Sequence, residues 1–303
     1  KMIFESNGKI LLTSEYLVLD GAISLALPSK LTQKLFVEEI DSDCLQWVSY
    51  DNNKSIWYEE RFFKSGKTMT YKGKKNNISE KIISLFNHIH NYKNIQNSFG
   101  KKFVTRMNFN RQWGLGSSST LVNNLAKWAN ISPYDLLFSS FKGSGYDIAC
   151  CDKKHPILYS NNKDVISIDK TSFNPSFKKN LFFIYQGKKQ NTQNSIFSYN
   201  KIRFDKKSAI GKINELTKNI VECNNLLEFE TLIERHEDII SKIIKINPIQ
   251  KSTFKDYNRG IIKSLGSWGG DFILVSGEKQ DLSYFKQKGY DTIFNFEDLV
   301  YLN

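Results

Sequence analysis

The sequence predicts a two-lobed chain of mixed strands and helices, and three observations lead to that prediction. At 303 residues, the chain exceeds the size at which a single hydrophobic core keeps growing. Short apolar segments typical of strands alternate with segments of helical periodicity. A loop rich in glycine and serine, at 114–120, runs directly into one of these helices. We place the lobe boundary near residue 170, which gives predicted lobes at 1–170 and 171–303.

The elements can be assigned in chain order from apolar periodicity and from turn residues. The segment 9–19 is predicted as a strand, and a helix is predicted from Ser79, with Ser79 as its N-cap. Further strands are expected near 31–40, 44–50, 56–63, 102–109, 156–160, 164–168, 181–186, 272–276 and 292–296. Further helices are expected after the 114–120 loop, after Pro133, across 192–264 with breaks around Cys223 and Pro248, and after Gln280.

Composition narrows the class of protein. The chain is 40% hydrophobic and 14% aromatic, as in globular proteins, and runs such as LFFIY are far shorter than the roughly 20 residues of a membrane-spanning helix. The N-terminal stretch lacks the features of a signal peptide. The four cysteines show no spacing typical of a metal site or a disulfide framework. We therefore expect a cytoplasmic protein with reduced thiols and no membrane partner.

The formal net charge is +12, but the lysines are scattered and interleaved with acidic residues and asparagines. No motif of a nucleic-acid reader accompanies them. Attraction of small anionic metabolites explains the same charge, so we expect such a partner and no nucleic acid. Both a monomer and a homodimer are compatible with the sequence.

The most informative motif is GLGSSST, which precedes a helix of clear apolar periodicity. Glycines allow tight bends and close backbone approach, and the first amides of a helix form an anion site that its dipole reinforces. An ordinary capped helix is the alternative. No Walker sequence occurs, and GKT at 66–68 is predicted to be a turn. The predicted phosphate-binding residues are Gly114, Leu115, Gly116, Ser117, Ser118 and Ser119.

Two other glycine-rich segments could contribute chemistry. In GSGYDIA, at 143–149, Asp147 could act as a general base held between tight turns, or could simply form a turn. In GSWGGDF, at 266–272, three glycines precede an apolar strand, which indicates close approach to a ligand or to another loop, or a plain turn.

Taken together, these segments resemble the motifs of the GHMP kinases, a family named for galactokinase, homoserine kinase, mevalonate kinase and phosphomevalonate kinase. NGKILLTSEYLVLDGAISLALP at 7–28 resembles the first motif, GLGSSST the second and GSWGGDF the third. The resemblance implies an α+β fold with an N-terminal lobe like ribosomal protein S5 domain 2 and a ferredoxin-like C-terminal lobe. ATP would be bound by the second motif.

The resemblance also implies residue roles. Asp147 would orient or deprotonate the acceptor, and Lys9 would keep Asp147 ionised and offset charge on the transferring phosphoryl group. Ser118 would help to hold Mg²⁺. Mevalonate kinases also carry a glutamate metal ligand on the preceding helix, where this chain offers only Asp135, out of register. Trp268 stands where a small residue is usual, and the pair 270–271 looks more like that of phosphomevalonate kinase.

The acceptor site is predicted in YQGKKQNTQNS at 185–195, where lysines and amides lie between a strand and a helix. A solvated loop is the alternative. We expect phosphorylation of mevalonate or a close pathway intermediate in isoprenoid biosynthesis. Phosphomevalonate kinase, diphosphomevalonate decarboxylase, homoserine or sugar kinase and a catalytically silent metabolite-binding protein are the alternatives. The predicted acceptor residues are Lys188, Lys189, Gln190, Thr192, Gly145 and Gly269.

Overall fold

A computed structural model describes residues 1–162 and 165–303, and its internal contacts divide the chain into two units. Each unit combines segments that are distant in the sequence, so this division differs from a single boundary near residue 170. The predicted division into functional lobes therefore stays a prediction. Unit 1 consists of Lys1–Gly8, Leu31–Arg111 and Gly116–Asp152, and unit 2 of Lys9–Lys30, Gln112–Leu115 and Lys153–Asn303.

Unit 1 consists of a mixed sheet and four helices. Strands β1 (Met2–Leu11) and β2 (Ser24–Glu39) pair with each other and each continue into unit 2. The other elements are β3 (Leu45–Tyr50), β4 (Ile56–Ser65), β5 (Thr68–Tyr71), α1 (Asn77–Ile89), β6 (Lys101–Met107), α2 (Ser117–Ala129), α3 (Pro133–Ser140) and α4 (Tyr146–Cys150). The strand order is β5-β4-β3-β6-β2. Strands β3 and β6 are parallel, whereas β2 is antiparallel to β6.

Aromatic side chains fill the core of unit 1 and fix α1 and α2 against the sheet. Trp47 of β3 stacks on Phe103 of β6, with ring centroids 5.8 Å apart. Phe86 of α1 and Trp128 of α2 meet Phe103 edge-on at 5.3 and 4.9 Å. These rings come from elements far apart in sequence, so their burial holds α1 and the C-terminal part of α2 against the sheet.

Unit 2 contains the first part of β2 and a second, antiparallel sheet. Its elements are β7 (Ile157–Asn161), β8 (Ile166–Lys170), β9 (Leu181–Tyr185), α5 (Thr192–Tyr199), α6 (Lys206–Glu222), α7 (Leu226–Ile244), α8 (Ile249–Ser252), β10 (Ile262–Ser264), β11 (Phe272–Ser276), α9 (Leu282–Gln287), β12 (Ile293–Asn295) and α10 (Phe296–Leu299). The start of β2 pairs with β7, and the second sheet has the order β10-β11-β9-β12. The apolar runs LFFIY and FILVS form its two central strands.

Most predicted elements are confirmed, but the strand expected at 9–19 is wrong beyond Leu11. Strand β1 ends there, and Leu17–Asp20 forms a short 3₁₀ turn. Ser14 and Tyr16 have φ values of 68° and 63°, which no strand residue adopts. Contacts to distant segments hold this turn.

Three smaller corrections concern helix ends and breaks. Helix α1 is capped by the Asn76 side chain, which accepts from the amides of Ile78 and Ser79, so Ser79 is not the cap. The region 192–264 has an additional break at 200–205, and it ends in strand β10 rather than in helix. Of the strand predicted at 164–168, residue 164 lies outside the described residues, and the remainder overlaps β8.

Cys44, Cys150, Cys151 and Cys223 are all buried and not in disulfides. In the described part of the chain, no helix is both long enough and apolar enough to cross a membrane.

Candidate functional site

The glycine–serine loop ends in a helix start that presents main-chain amides. Gly116 is the N-cap of α2, with φ 87°, and contributes no side chain to the cap. The first hydrogen bond within the helix is donated by the Thr120 amide to the Gly116 carbonyl, at 2.9 Å. The amides of residues 117–119 precede it and do not donate within the helix. Ser118 is exposed and Ser119 is buried. This geometry is suited to an anion such as a phosphate.

A hydrogen bond joins this loop to the predicted catalytic aspartate within unit 1. The Ser119 hydroxyl donates to Asp147 Oδ2 at 3.0 Å. Asp147 is half-buried in the first turn of α4, which begins after Gly145 with φ 91°. The Cys151 thiol donates to the Asp147 main-chain carbonyl at 3.3 Å. The structure therefore brings two predicted site residues into contact and fixes one carboxylate oxygen.

Buried polar side chains hold the N-terminal half of α2 against β2. The Thr120 hydroxyl donates to Gln33 Oε1 at 2.9 Å, and Asn124 Nδ2 donates to the Gln33 carbonyl at 2.9 Å. Ser6 of β1 donates to Asn124 Oδ1 at 2.8 Å. Because all four residues are buried, these bonds are protected from water and position the helix start precisely.

Within unit 2, the predicted lysine lies at the first residues of the same loop. The Lys9 amide donates to the Leu115 carbonyl at 3.0 Å, and the Lys9 ammonium donates to the Gly114 carbonyl at 3.1 Å. Strand β1 therefore positions Lys9 beside the first residues of the loop. The predicted pairing of Lys9 with Asp147 stays a prediction.

A second carboxylate, which the sequence interpretation did not include in the site, lies against Gly114. A Cβ atom added to Gly114 would lie 2.3–2.6 Å from the carboxyl atoms of Asp271, so a side chain at this position would require Asp271 to move. Burial raises the pKa of Asp271 above its ordinary value, and the charge of Lys9 opposes that shift. The sequence signal for this residue was an aspartate directly after the last glycine of GSWGGDF.

The predicted acceptor loop, at 185–195, contacts the glycine-rich loop at 266–271 through Asp271. The Asp271 amide donates to the Lys188 carbonyl at 2.8 Å, and Asp271 Oδ1 accepts from the Gln190 amide at 3.2 Å. Gln190 Nε2 donates to the Trp268 carbonyl at 2.7 Å, and Gly269 adjoins that amide group. The structure thus brings Lys188, Gln190 and Gly269 together within unit 2.

The remaining predicted acceptor residues lie at other positions. Lys189 is exposed, and its charge opposes the rise in the pKa of Asp271. Thr192 is exposed at the start of α5, where Asn191 is the N-cap. Gly145 belongs to unit 1 and starts α4.

Comparisons with known proteins establish the fold. No family model and no curated sequence matches the chain. Mevalonate kinase from Methanococcus jannaschii superposes with a TM-score of 0.68 at 18% identity, over 100% of this chain and 98% of that one. Streptococcus pneumoniae phosphomevalonate kinase, in complex with phosphomevalonate and AMPPNP, gives 0.69 at 15%, over 97% and 99%. Lactococcus lactis galactokinase, complexed with galactose, gives 0.67 at 11%, over 99% and 93%.

The chain has the GHMP kinase fold. The α+β class and the family resemblance predicted from the three glycine-rich motifs are thereby confirmed at the level of fold. The second, antiparallel sheet is part of this agreement. Identities of 11–18% leave the reaction and the substrate to be argued from the site itself.

The resemblance noted in the sequence implies Mg²⁺, and the residues present would suit an ion carried by a nucleotide. Among the residues described, no group of three or more His, Cys, Asp and Glu side chains could hold a metal by itself. Mg²⁺ commonly uses one or two protein oxygens together with substrate phosphates and water. The exposed hydroxyl of Ser118 is an oxygen of this kind. Asp135 is exposed in the first turn of α3.

Proposed function

We propose that the protein is an ATP-dependent phosphotransferase of the GHMP kinase type, which phosphorylates a small anionic metabolite. The observation that carries this proposal is the 3.0 Å hydrogen bond from Ser119 to Asp147. It joins a helix start suited to phosphate binding to a carboxylate suited to orienting an acceptor. Phosphoryl transfer depends mainly on such positioning and on charge stabilisation.

The loop residues from Gly114 to Ser119 are proposed to bind the triphosphate of ATP. The amides at the start of α2 donate to phosphate oxygens, and the helix dipole favours their negative charge. The positive φ values of Gly114 and Gly116 allow the main chain to approach the ligand closely. Ser118, together with phosphate oxygens of the nucleotide, would hold Mg²⁺. When bound, the ion neutralises charge on the phosphates.

Asp147 is proposed to orient the acceptor and to take its proton. The bond from Ser119 fixes Oδ2, which leaves Oδ1 as the oxygen we assign to the acceptor hydroxyl. The proton would move from that hydroxyl to Oδ1 as the oxygen attacks the phosphoryl group. If the acceptor is already a phosphate, Asp147 orients it and takes no proton.

Lys9 is proposed to offset the charge that develops during transfer. Its ammonium donates to the Gly114 carbonyl and so lies at the phosphate loop. A lysine at this position stabilises negative charge on the transferring group more in the transition state than in the ground state. The proposed partnership with Asp147 would make the two residues act as a unit.

For the acceptor, we propose mevalonate or a close pathway intermediate. Support comes from Lys188 and Lys189, whose loop contacts the glycine-rich loop at Asp271, and from similarity to mevalonate and phosphomevalonate kinases. The lysines suit an anionic acceptor. The buried free thiols are consistent with the cytoplasmic location that we also propose.

An acceptor screen tests this function. Purified protein, ATP and Mg²⁺ are incubated with mevalonate, phosphomevalonate, diphosphomevalonate, homoserine or galactose, and ADP is measured, with phosphorus NMR of the products. We expect ADP formation that depends on one acceptor, together with a new phosphorylated product. Release of inorganic phosphate with loss of the carboxylate would indicate a decarboxylase instead. ATP binding without turnover of any acceptor would favour a silent binding protein.

A further inference from the structure

A cluster of charged side chains is completely buried in unit 2, outside the site described above. Glu15, His236 and Lys263 are each 0% exposed, and Glu237 is 2% exposed. The Lys263 ammonium has three hydrogens and three acceptors: Glu15 Oε1 at 2.5 Å, Glu237 Oε1 at 3.1 Å and the Ser264 carbonyl at 3.1 Å. Its hydrogen-bonding capacity is therefore used completely.

The two glutamates differ in their second oxygen. Glu237 Oε2 accepts from the Ser264 amide at 3.1 Å, as a carboxylate anion should. Glu15 Oε2 has no hydrogen-bond partner in the described structure and lies 3.4 Å from His236 Nε2. That nitrogen already accepts from the Ser14 amide at 2.9 Å, so it carries no proton. A carboxylate oxygen would therefore lie 3.4 Å from a ring nitrogen that carries no proton, which is unfavourable unless Glu15 Oε2 itself carries one.

The directions of the pKa shifts in the cluster agree with a protonated, uncharged Glu15 side chain. Burial raises the pKa of Glu15 to about 7, even though Lys263 opposes the shift. Burial and Lys263 both lower the pKa of His236, so His236 is uncharged. Burial alone would lower the pKa of Lys263, but Glu15 and Glu237 raise it above its ordinary value. Tyr16, the other titratable neighbour, donates its hydroxyl to the Ser267 carbonyl at 2.7 Å.

The cluster connects two strained loops. Ser14 and Tyr16, on either side of Glu15, have positive φ values, which cost free energy unless the surroundings enforce them. Lys263 and Glu237 bind the carbonyl and the amide of Ser264, where the loop 264–271 begins. This loop includes Trp268 with φ 51° and ends at Asp271 with φ 57°, against Gly114.

We propose that Lys263 is a positioning residue for the loop 264–271 and that the cluster is electrically neutral, with Lys263 balanced by Glu237 and a proton held on Glu15. The part of this inference that concerns catalysis rests on the proposed function. The charge assignment and the loop geometry do not. A neutral arrangement accounts for four buried ionisable groups without an unpaired charge.

The charge assignment predicts different effects of the same substitution at the two glutamates. In Glu15→Gln, the amide oxygen can still accept from Lys263 and the charge balance of the cluster is unchanged, so we expect a urea midpoint close to that of the wild type at pH 7. In Glu237→Gln, Lys263 loses its counter-charge, and we expect a large loss in the midpoint or failure to fold. Equal effects, or the reverse order, would overturn the assignment.

A charge-neutral double variant tests the positioning role without leaving a buried charge. Lys263→Met combined with Glu237→Gln should fold, because both charges are removed together. We expect faster hydrogen–deuterium exchange in 264–271 and a fall of about tenfold or more in kcat/KM. The matched control is Lys251→Met with Asp238→Asn, which removes an exposed ion pair with a 2.8 Å contact and should change neither quantity.

Hydrogen–deuterium exchange and kinetics together distinguish a failure of this inference from a failure of the proposed function. If the wild type turns over no acceptor, the exchange measurement still decides whether the cluster positions the loop. Wild-type exchange in a folded double variant would overturn the positioning role. Faster exchange with unchanged kcat and KM would show that the loop position does not matter to the reaction, and would overturn the part of the inference that concerns catalysis.

Discussion

Neighbouring serines of the phosphate loop have different environments. Ser119 is buried and donates to Asp147, whereas Ser118 is exposed. Successive residues of a helix point about 100° apart, since one turn takes about 3.6 residues. The sequence predicted that both bind phosphate or metal, because a run of serines does not show which hydroxyl faces the aspartate.

Ser119→Ala should therefore lower kcat about tenfold, because Asp147 loses the hydrogen bond that fixes its orientation. Hydrogen bonds to charged groups contribute about 1.5–3 kcal/mol. The ATP Kd should stay within about threefold, since the main-chain amides remain. Steady-state kinetics with ATP titration measures both quantities. Ser118→Ala is the matched control, and it should raise the Mg²⁺ concentration required rather than lower kcat at saturating Mg²⁺. An unchanged kcat for Ser119→Ala would show that this bond is dispensable.

Asp271 places a negative charge beside the loop that is proposed to bind phosphates. Asp271→Asn keeps the shape and the acceptor for the Gln190 amide but removes the charge. Even with the full screening of bulk water, like charges about 4 Å apart repel by about 1 kcal/mol. We therefore expect metal-free ATP to bind about two- to fivefold more tightly, measured by isothermal titration. Weaker binding would mean that the carboxylate supports the nucleotide site instead of repelling its ligand.

At the scale of elements, helices and strands with regular apolar periodicity were predictable, whereas turns held by contacts between distant residues were not. Helix α2 and the loop before it follow from local signals, namely glycines, serines and apolar spacing. The turn at 14–16 does not, because the Ser14 amide is held by His236, which lies 222 residues away in sequence. Local propensity favoured a strand there, and tertiary contacts prevailed.

The contact between Gly114 of the phosphate loop and Asp271 of the glycine-rich loop predicts that substitutions at these two positions have non-additive effects on ATP binding. Gly114→Ala would put a methyl group 2.3 Å from the Asp271 carboxyl carbon, in addition to the strain of φ 68°. We expect it to weaken ATP binding at least tenfold, measured by titration. Adding Asp271→Gly should recover much of that loss, because the clash is gone.

Gly66→Ala is the matched control for backbone strain. Gly66 has φ 60°, but no atom lies within 4 Å of an added Cβ. Its substitution should cost about 1–2 kcal/mol of stability and leave ATP binding unchanged. If Gly114→Ala behaved the same way, or if Asp271→Gly gave no recovery, the loops would not be in the contact described.

At the scale of the whole molecule, the buried proton predicts how stability changes with pH. The pKa of Glu15 is raised from 4.5 to about 7, so between these values the folded state keeps a proton that the unfolded state has lost. Raising the pH through this window therefore lowers the free energy of unfolding, by at most about 1.4 kcal/mol per pH unit for one proton. Urea denaturation from pH 4.5 to 8 should show this slope in the wild type. The slope should be smaller in Glu15→Gln. If the variant and the wild type had the same pH profile, Glu15 would not be the group that holds the proton.

The candidate site was predictable where its residues lie in local motifs. Lys9, Gly114 and Asp147 were each named from a local motif, and their roles stay predictions. The structure shows that Lys9 contacts Gly114 and that Ser119 contacts Asp147. The contact of Asp271 with the loop at 188–190 was not predictable, because the Asp271 amide donates to the carbonyl of Lys188, about 80 positions away, in a bond between main-chain groups. Main-chain bonds of this kind leave no pattern of side-chain types in the sequence.

The central claim is that Asp147 acts in phosphoryl transfer, and Asp147→Asn tests it most directly, because this variant keeps the shape of the side chain and removes its charge. Single-turnover transfer from ATP to the acceptor identified in the screen is compared with that of the wild type. General-base contributions are typically about 100- to 10,000-fold, so we expect a rate lower by such a factor, with the ATP Kd within about threefold. A transfer rate close to that of the wild type would contradict the account.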